Sequence, residues 1–256
     1  MKTAGLDIGS RTIKLAVIED GSLTGYKVSD TGVSILNNIR TILDNVNFDR
    51  LTATGYGRYL AQTHLDCPII TEIKAYALGA HHLYPRCEII IDIGGQDSKV
   101  IRASGGRVLD FEMNDRCAAG TGRFLEVMAT ALGYTIDEIG AHAMRADRAA
   151  AINSMCTVFA ESEVITLLAK GEDPRNIALG VHSAIINRIF ALSGRIDLDD
   201  TIVFAGGVAK NPCMISLLGK RLKNTIIVPD EPQIVGAIGA ALAAKNNMPS
   251  ACKEVE

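Results

Sequence analysis

Glycine turns divide two β-prone segments of the chain into short meanders. In the first, TAGLDIG leads through a tight turn into TIKLAVIE (12–19) and then the turn DGS. In the second, EIIIDIG (88–94) is followed by SKVIRA, the turn SGG and RVLDFEM (107–113). β-Branched residues, alternating apolar and polar positions and glycine turns are typical of hairpins. The pattern predicts two antiparallel meanders of one design.

The two meanders contain one repeated octapeptide. DIGSRTIK (7–14) and DIGGQDSK (92–99) have Asp, Ile, Gly and Lys at the same offsets. Duplication at a separation of about 85 residues indicates two lobes of similar topology. We therefore predict a first lobe at residues 1–85 and a second at 86–231, with a C-terminal helix over about 232–246 that packs back on the first lobe.

Apolar residues at helical spacing follow each meander. Thr71 is predicted to cap one of these helices, and glycines are predicted to end two others. Gly236 and Gly239 suit close packing of the last helix. Because strands alternate with helices, the predicted fold class is α/β. The predicted helices cover residues 34–46, 71–84, 123–133, 159–171 and 175–195, and residues 201–211 are predicted as strand, turn and helix start.

Composition narrows the possible functions. The 256 residues are 48 % hydrophobic and 21 % charged with net charge −3, which is typical of a soluble globular protein without attraction to nucleic acid or anionic membranes. Trp is absent and aromatic residues are 5 %, which argues against stacking of single-stranded bases. Asp7 interrupts any signal-like apolar segment, and GAIGAALAA (236–244) is shorter than the ~20 residues of a membrane span. We predict a cytoplasmic protein with no nucleic-acid or membrane partner.

Each DIG turn is a candidate phosphate loop. Backbone N–H groups of a glycine turn can approach a phosphate closely, although one such turn is equally consistent with a plain hairpin. Two copies with matching flanks favour binding of a polyphosphate from both sides of a cleft. Asp7 and Asp92, at strand ends, could hold Mg²⁺ through water. Lys14 and Lys99 could contact phosphate, although a lysine on a strand is more often solvated.

A third glycine turn, AGGVAKN (205–211), follows an apolar strand. Alone it could be any strand-to-helix turn, but with the two DIG turns it completes a three-part nucleotide site in which adenine or ribose lies on the backbone. The chain has no GxxxxGK[ST], which excludes a P-loop, and no GxGxxG after the first strand, which disfavours dinucleotide binding.

Two of the six cysteines stand in similar strings. NDRCAAGTGR (114–123) and NSMCTVFAES (153–162) each place a cysteine three residues after an asparagine, at a predicted helix start. Spacing alone leaves open whether Cys117 and Cys156 are core thiols or metal ligands. The remaining cysteines are predicted to be free, mostly buried thiols in a reducing compartment: Cys67, Cys87, Cys213 and Cys252.

The order of two phosphate loops and one adenosine loop resembles the actin/hexokinase/Hsp70 ATPase superfamily. More narrowly, the chain resembles the activator ATPases of 2-hydroxyacyl-CoA dehydratases, whose family includes the ATPase subunits of benzoyl-CoA reductase. The resemblance covers about residues 3–245 and implies a two-lobed actin/hexokinase-like (ribonuclease H-like) fold. It is carried by the strings LDIGS, TGYGR, IDIGGQDSK, NDRCAAGTGRFLE, CTVFAESEV and FAGGVAKN.

The resemblance implies a homodimer with one 4Fe-4S cluster at its interface, held by Cys117 and Cys156 of each chain. A 4Fe-4S cluster generally takes four thiolates, so a two-fold axis would supply the second pair. A cysteine at a helix N-terminus would have a lowered thiol pKa and would face the cluster with the positive end of the helix dipole. Small residues after the first cysteine would leave room for the cluster and backbone N–H donors for its sulfur: Ala118, Ala119, Gly120 and Gly122.

The resemblance further implies that ATP hydrolysis drives one low-potential electron from a ferredoxin or flavodoxin to a partner iron–sulfur dehydratase or reductase. Lobe closure on ATP is expected to move the helices that follow the two cysteines, and a cluster between subunits predicts oxygen sensitivity. The residues implied to bind ATP or ADP are Gly9, Ser10, Arg11, Thr12, Lys14, Asp92, Gly94, Gly95, Gln96, Gly206, Gly207, Val208 and Asn211.

The candidate catalytic residues are Asp7, Gln96, Asp97 and Glu161. Gln96 and Asp97 lie in the second DIG turn, where an amide or carboxylate could position water. Glu161 follows the second cysteine and could approach the metal or water, or be a surface residue.

Four further polar residues could have purely structural roles. Asp115 could cap the helix after Cys117, and Arg58 could contact the partner or a neighbouring loop. His81 and His82 are adjacent in a helix pattern without a second pair at metal-ligand spacing, and they are predicted to be structural.

Two other functions are compatible with the nucleotide loops. A small-molecule kinase of the same superfamily would use Asp97 or Glu161 as a base and would need a substrate pocket, for which the chain has little sequence to spare. A non-catalytic nucleotide-sensing scaffold would need neither pocket nor metal. Brown colour and about four irons per dimer after anaerobic purification would distinguish the electron-transferring ATPase from both.

Overall fold

The computed structural model of the protein describes residues 1–154, 156–194, 196, 198, 201–222 and 225–246. The chain forms two compact units. The first joins Met1–His82 to the segment that begins at Ile234, and the second comprises Leu83–Gln233. Cys252 lies outside the described residues.

The first unit contains a four-stranded sheet built on the predicted first meander. Its strands are β1 (Lys2–Ile8), β2 (Thr12–Glu19), β3 (Ser22–Asp30) and β4 (Arg50–Thr54), in the order β3-β2-β1-β4. β1 pairs antiparallel with β2 and parallel with β4. All residues of β1 from Thr3 to Ile8 are buried, so both faces of this central strand are covered.

Small residues let α3 and α9 of the first unit pack closely. The helices described in this unit are α1 (Ile35–Leu43), α2 (Arg58–Leu65), α3 (Glu72–Leu83) and α9 (Val235–Asn246). A Cβ on Gly239 would overlap the carbonyl oxygen of Ala75 in α3, and a Cβ on Gly5 would overlap that of Ala237 in α9. The predicted close packing of the last helix is therefore confirmed, and it places α9 against β1.

The second unit repeats this sheet and adds one strand. Its strands are β5 (Ile89–Ile93), β6 (Ser98–Ser104), β7 (Arg107–Asn114), β8 (Ile202–Ala205) and β9 (Ile226–Ile227), in the order β7-β6-β5-β8-β9. β5 pairs antiparallel with β6 and parallel with β8, as β1 does with β2 and β4. The predicted duplication therefore extends to a parallel strand that follows each meander.

In the part of the second unit that the structure describes, five helices pack around one cluster of hydrophobic side chains. They are α4 (Gly122–Ala131), α5 (Ile136–Ala143), α6 (Thr157–Ala169), α7 (Pro174–Leu192) and α8 (Pro212–Leu222). Gly133 (φ +74°) and Gly171 (φ +80°) adopt left-handed conformations just after α4 and α6, as their predicted role as helix ends requires. None of the helices in the described part of the chain is both long enough and apolar enough to span a membrane.

Candidate nucleotide loops and cysteine sites

Asp7 and Lys14 form a cross-strand ion pair at the first DIG turn. They face each other in the register of β1 and β2, and Lys14 Nζ lies 3.2 Å from Asp7 Oδ2. The Asp7 side chain is 1 % exposed and that of Lys14 is 11 % exposed. The turn between them is closed by a bond from Gly9 N to Thr12 O. The lysine is therefore not a solvated strand residue, because its ammonium neutralises a buried carboxylate.

The second DIG turn repeats this pair and adds a carboxylate. Lys99 Nζ lies 3.1 Å from Asp92 Oδ2 and 2.9 Å from Asp97 Oδ2, and the Lys99 side chain is 1 % exposed. Gly94 N donates to Asp97 O, as Gly9 N does to Thr12 O in the first turn. Gln96 is exposed at the tip of the turn. Asp97 therefore takes the place of Thr12 and changes the charge of the turn.

One oxygen of Asp7 has no donor in the described chain. Asp7 Oδ1 is buried and makes no hydrogen bond to a described residue, while Oδ2 bonds Lys14. A buried carboxylate oxygen without a donor is costly in a protein interior. This oxygen fits a water bound to Mg²⁺, because magnesium in nucleotide sites usually keeps several waters and few direct carboxylate ligands.

Each carboxylate at a strand end is covered by a glycine of the parallel neighbour strand. Gly55 follows β4 with φ +86°, and a Cβ there would lie 2.5 Å from Asp7 Oδ1. Gly206 follows β8 with φ +85°, and a Cβ there would lie 2.5 Å from Asp92 Oδ1. The two glycines are equivalent positions of the duplication. Sequence reasoning did not pair them, although TATG (52–55) and VFAG (203–206) both end a strand on glycine.

The predicted adenosine turn forms a short 3-10 helix, Gly207–Lys210, between β8 and α8. Gly206 N donates to Pro232 O, and Lys210 Nζ pairs with Glu231 Oε2 at 2.9 Å. Asn211 ends the turn and directs its carboxamide into the unit. Its Oδ1 accepts from the backbone N–H groups of Cys213 and Met214 at 3.0 and 3.2 Å. Asn211 therefore shapes the turn by capping the first residues of α8.

His182 supports Asn211 from α7, and sequence reasoning missed it. The His182 ring is fully buried, with Nδ1 2.7 Å from Ala178 O and Nε2 3.0 Å from Asn211 Nδ2. A carbonyl can only accept, so Nδ1 carries the proton and Nε2 accepts from the Asn211 amide. Burial lowers the pKa of His182, which keeps this neutral tautomer.

Cys117 lies in a half-buried loop, not at a helix start as predicted. α4 begins five positions later at Gly122, with Thr121 as its N-cap. Asn114 Nδ2 donates to Cys117 O at 2.8 Å and to Ala119 O at 3.0 Å, which shapes the loop. The alternative in which Asp115 caps the following helix does not hold, because the N-cap residue of α4 is Thr121.

Cys156 does lie at a helix N-terminus, as predicted. It is the exposed N-cap residue of α6, and its carbonyl accepts from Ala160 N at 2.8 Å. Asn153, three residues earlier, does not repeat the bond of its counterpart in the first string. Its side chain donates instead to Glu163 Oε1 at 3.1 Å. The two similar strings therefore place their cysteines in different local structures.

The remaining described thiols are buried, as predicted. Cys67, Cys87 and Cys213 are free and buried. Burial raises the pKa of all three thiols, to about 11 for Cys87 and about 11 for Cys213. Of the cysteines that the structure describes, only Cys117, which is half-buried, and Cys156, which is exposed, are not buried.

The start of α4 is bonded to the second DIG turn. Gly122 N donates to Gly94 O and Arg123 N donates to Gly95 O, both at 2.9 Å. The prediction that the Gly122 N–H is free to bond a cluster sulfur is therefore wrong. These two bonds connect the segment that carries Cys117 to the second DIG turn.

The structure describes the burial or local contacts of four other residues singled out in the sequence. Glu161 is half-buried on α6, and His81 and His82 are half-buried on α3. Arg58 donates to Gly55 O at 3.1 Å and stacks its guanidinium over Tyr59, 4.5 Å from the ring centre. These contacts lie in the first turn of its own helix, α2, and in the turn before it.

Comparison with known proteins gives one family. A model described as the BadF/BadG/BcrA/BcrD ATPase family matches residues 4–244. The chain is 41 % identical over 255 residues to the activator of lactoyl-CoA dehydratase from Anaerotignum propionicum, across 95 % of this chain and 97 % of that protein. It is 39 % identical over 266 residues to the 2-hydroxyisocaproyl-CoA dehydratase activator from Clostridioides difficile, across 100 % and 99 %.

Solved structures agree with the sequence relatives. Component A of (R)-2-hydroxyglutaryl-CoA dehydratase from Acidaminococcus fermentans matches with a TM-score of 0.90 and 36 % identity, across 96 % of this chain and 98 % of that one. The activator of 2-hydroxyisocaproyl-CoA dehydratase from Clostridium difficile, with bound ADPNP, matches with 0.88 and 37 %, across 100 % and 98 %. A ROK family glucokinase from Streptomyces griseus, at 0.61 and 14 % across 96 % and 100 %, shows the fold alone. The predicted actin/hexokinase-like fold is confirmed.

Proposed function

Because the chain belongs to the BadF/BadG/BcrA/BcrD ATPase family, we propose that it hydrolyses ATP to deliver one low-potential electron to a partner iron–sulfur enzyme. The partner is a 2-hydroxyacyl-CoA dehydratase or a related reductase. The observation that carries the proposal is the pair of DIG turns, which have the same strand register and the same ion pair in each unit. The names of relatives that are 39 % and 41 % identical support the choice of partner.

In this proposal the DIG turns bind the phosphates of ATP through their backbone N–H groups, and Gly206–Asn211 binds the adenosine. Asp7 is the candidate for holding Mg²⁺ through water, because one of its buried oxygens has no donor in the described chain. Gln96 is exposed in the second turn and is a candidate, with Asp97, for positioning the attacking water. Glu161 is the weaker catalytic candidate, because it lies on α6 away from both turns in sequence.

Two thiols per chain fit one 4Fe-4S cluster shared by a homodimer. Such a cluster takes four thiolates and, when bound, supplies one-electron redox chemistry at low potential. Cys117 and Cys156 belong to one unit, and α4, which follows the first, packs against α6, which follows the second. Beside Cys156, α6 exposes Val158 and Phe159 (66 % and 68 %). Large apolar residues next to an accessible ligand fit an interface with a second copy of the chain.

The bonds at the start of α4 suggest how the nucleotide reaches the cysteines. If ATP reorganises the second DIG turn, Gly94 and Gly95 move together with the first turn of α4. Hydrolysis would then alter the geometry of the Cys117 segment without contact between phosphate and metal. Such coupling requires that ATP bind two states of the dimer with different affinities.

The proposal places the protein in the cytoplasm, with a ferredoxin or flavodoxin as electron donor. A cluster between two subunits lies near solvent, so we expect it to be lost in air.

Anaerobic purification tests the proposal. We expect a brown dimer with about four irons, whose cluster spectrum responds to ATP and Mg²⁺. Cys117→Ser and Cys156→Ser should each abolish the colour, whereas Cys67→Ala, a matched change at a buried thiol, should retain it. An iron-free monomer would refute the electron-transfer function. Hydrolysis of ATP by that monomer would favour the kinase, and nucleotide binding without hydrolysis would favour the non-catalytic sensor.

A further inference from the structure

The segment before Cys156 is bonded to the helix that follows this cysteine. Glu163 lies on α6, seven positions after Cys156. Both of its carboxylate oxygens lie 3.1 Å from the backbone nitrogen of Asn153, and Oε2 accepts from Ser154 N at 2.9 Å. Oε1 also accepts from the Asn153 side chain at 3.1 Å. One carboxylate therefore holds two successive backbone N–H groups and one amide.

These hydrogen bonds are charge-assisted. Burial alone would raise the pKa of Glu163, but the backbone donors Ser154 and Asn153 outweigh it and lower the pKa below its ordinary value. Glu163 is therefore ionised near neutral pH. Hydrogen bonds to an ionised acceptor are about twice as strong as those between neutral groups, so the carboxylate holds the segment firmly.

We propose that Glu163 is a positioning residue for Cys156. On one side of the cysteine, α6 begins and Ala160 N bonds the Cys156 carbonyl. On the other side, Glu163 ties Asn153 and Ser154 to the same helix. The thiol is thus presented from a short stretch whose two ends are both attached to α6. This role rests on the proposed function, in which Cys156 binds the cluster.

Cys117 has a different support, which makes the two ligands separable. Its loop is held by Asn114 Nδ2 and by Thr121 Oγ1, which donates to Ala118 O at 2.6 Å. Neither residue bonds Glu163 in the described chain. A change at Glu163 should therefore act on the Cys156 side of the site alone.

Three variants separate the role of Glu163 from general stability. Glu163→Ala removes all four hydrogen bonds, and Glu163→Gln keeps one acceptor oxygen. Ser162→Ala is the matched control, because it deletes a hydrogen bond to Val158 O on the same helix without touching the earlier segment. Amide exchange at Asn153 and Ser154 is measured in the iron-free protein. Iron loss to a ferrous chelator is measured in the anaerobically reconstituted protein.

In Glu163→Ala, amide exchange at Asn153 and Ser154 should become at least about tenfold faster. Iron loss should become about tenfold faster, with Glu163→Gln between it and the wild type and Ser162→Ala unchanged. If Glu163→Ala leaves amide exchange unchanged, or loses iron no faster than Ser162→Ala, the positioning role of Glu163 is overturned while the proposed function stands. A wild-type protein that takes up no iron would overturn the proposed function and, with it, the positioning role.

Discussion

Replacing Gly206 by alanine tests the turn that follows β8. Gly206 has φ +85° and ψ 175°, a region essentially restricted to glycine, so the backbone strain should cost about 1–3 kcal/mol. A Cβ would also lie 2.5 Å from Asp92 Oδ1 and 2.5 Å from Ile93 O, and one of these is backbone that cannot rotate away. Overpacking of this kind costs about 1–3 kcal/mol, so we expect a loss of about 4 kcal/mol in total.

Gly133→Ala is the control, because Gly133 also has positive φ (+74°) but a Cβ there meets nothing within 4 Å. It should cost about 1 kcal/mol. In thermal unfolding followed by circular dichroism, Tm should fall by about 8–16 °C for Gly206→Ala and about 2–4 °C for Gly133→Ala. Displacement of Asp92 should also weaken ATP binding in the Gly206 variant. Equal Tm losses would refute the reasoning, because strain at positive φ would then explain the whole effect.

Three further changes test buried titratable side chains. Because burial lowers the pKa of His182, the folded chain binds fewer protons than the unfolded chain below pH ~6.5. Stability in urea should therefore fall as the pH drops below ~6.5, by up to ~1.4 kcal/mol per pH unit, and His182→Gln should flatten this slope. Lys99→Met should cost about 3–5 kcal/mol in urea unfolding because two carboxylates lose their shared cation, whereas Lys210→Met, at a surface pair, should cost about 1 kcal/mol or less. Asp7→Asn should raise the Mg²⁺ concentration for half-maximal ATP hydrolysis at least about tenfold, and an unchanged Mg²⁺ requirement would remove Asp7 from the metal site.

The elements that could be predicted are those with a repeated local pattern. β1, β2 and β5 to β7 were predictable because strand period, β-branched residues and glycine turns all agree there. α2 was missed because only Ala61 is buried in it, so it has little apolar periodicity. α5 does have a sequence signal, because Thr135 and Glu138 have the spacing of a capping box and form one at its start. β4 and β9 are short, and their pairing depends on distant strands.

The lysines of the two octapeptides show a limit of a different kind. The spacing of Lys14 and Lys99 from Asp7 and Asp92 is visible in the sequence, and it suggests either contact with phosphate or exposure to solvent. Neither alternative includes the ion pair that forms because each lysine faces its aspartate across two paired strands. Register is a property of two paired strands, so a single-strand pattern does not contain it. Only after pairing does Asp97 stand out as a second carboxylate on Lys99.

The two cysteine strings show why equal spacing does not imply equal structure. An asparagine three residues before a cysteine can bond the backbone of its own loop, as Asn114 does with the Cys117 carbonyl. The same bond is not made at Cys156, because Glu163 offers Asn153 an ionised acceptor that a backbone carbonyl cannot match. The competing partner is ten positions away and becomes a neighbour only once α6 has formed. The local support of each cysteine is therefore decided by tertiary partners, which the equal spacing of the two strings does not reveal.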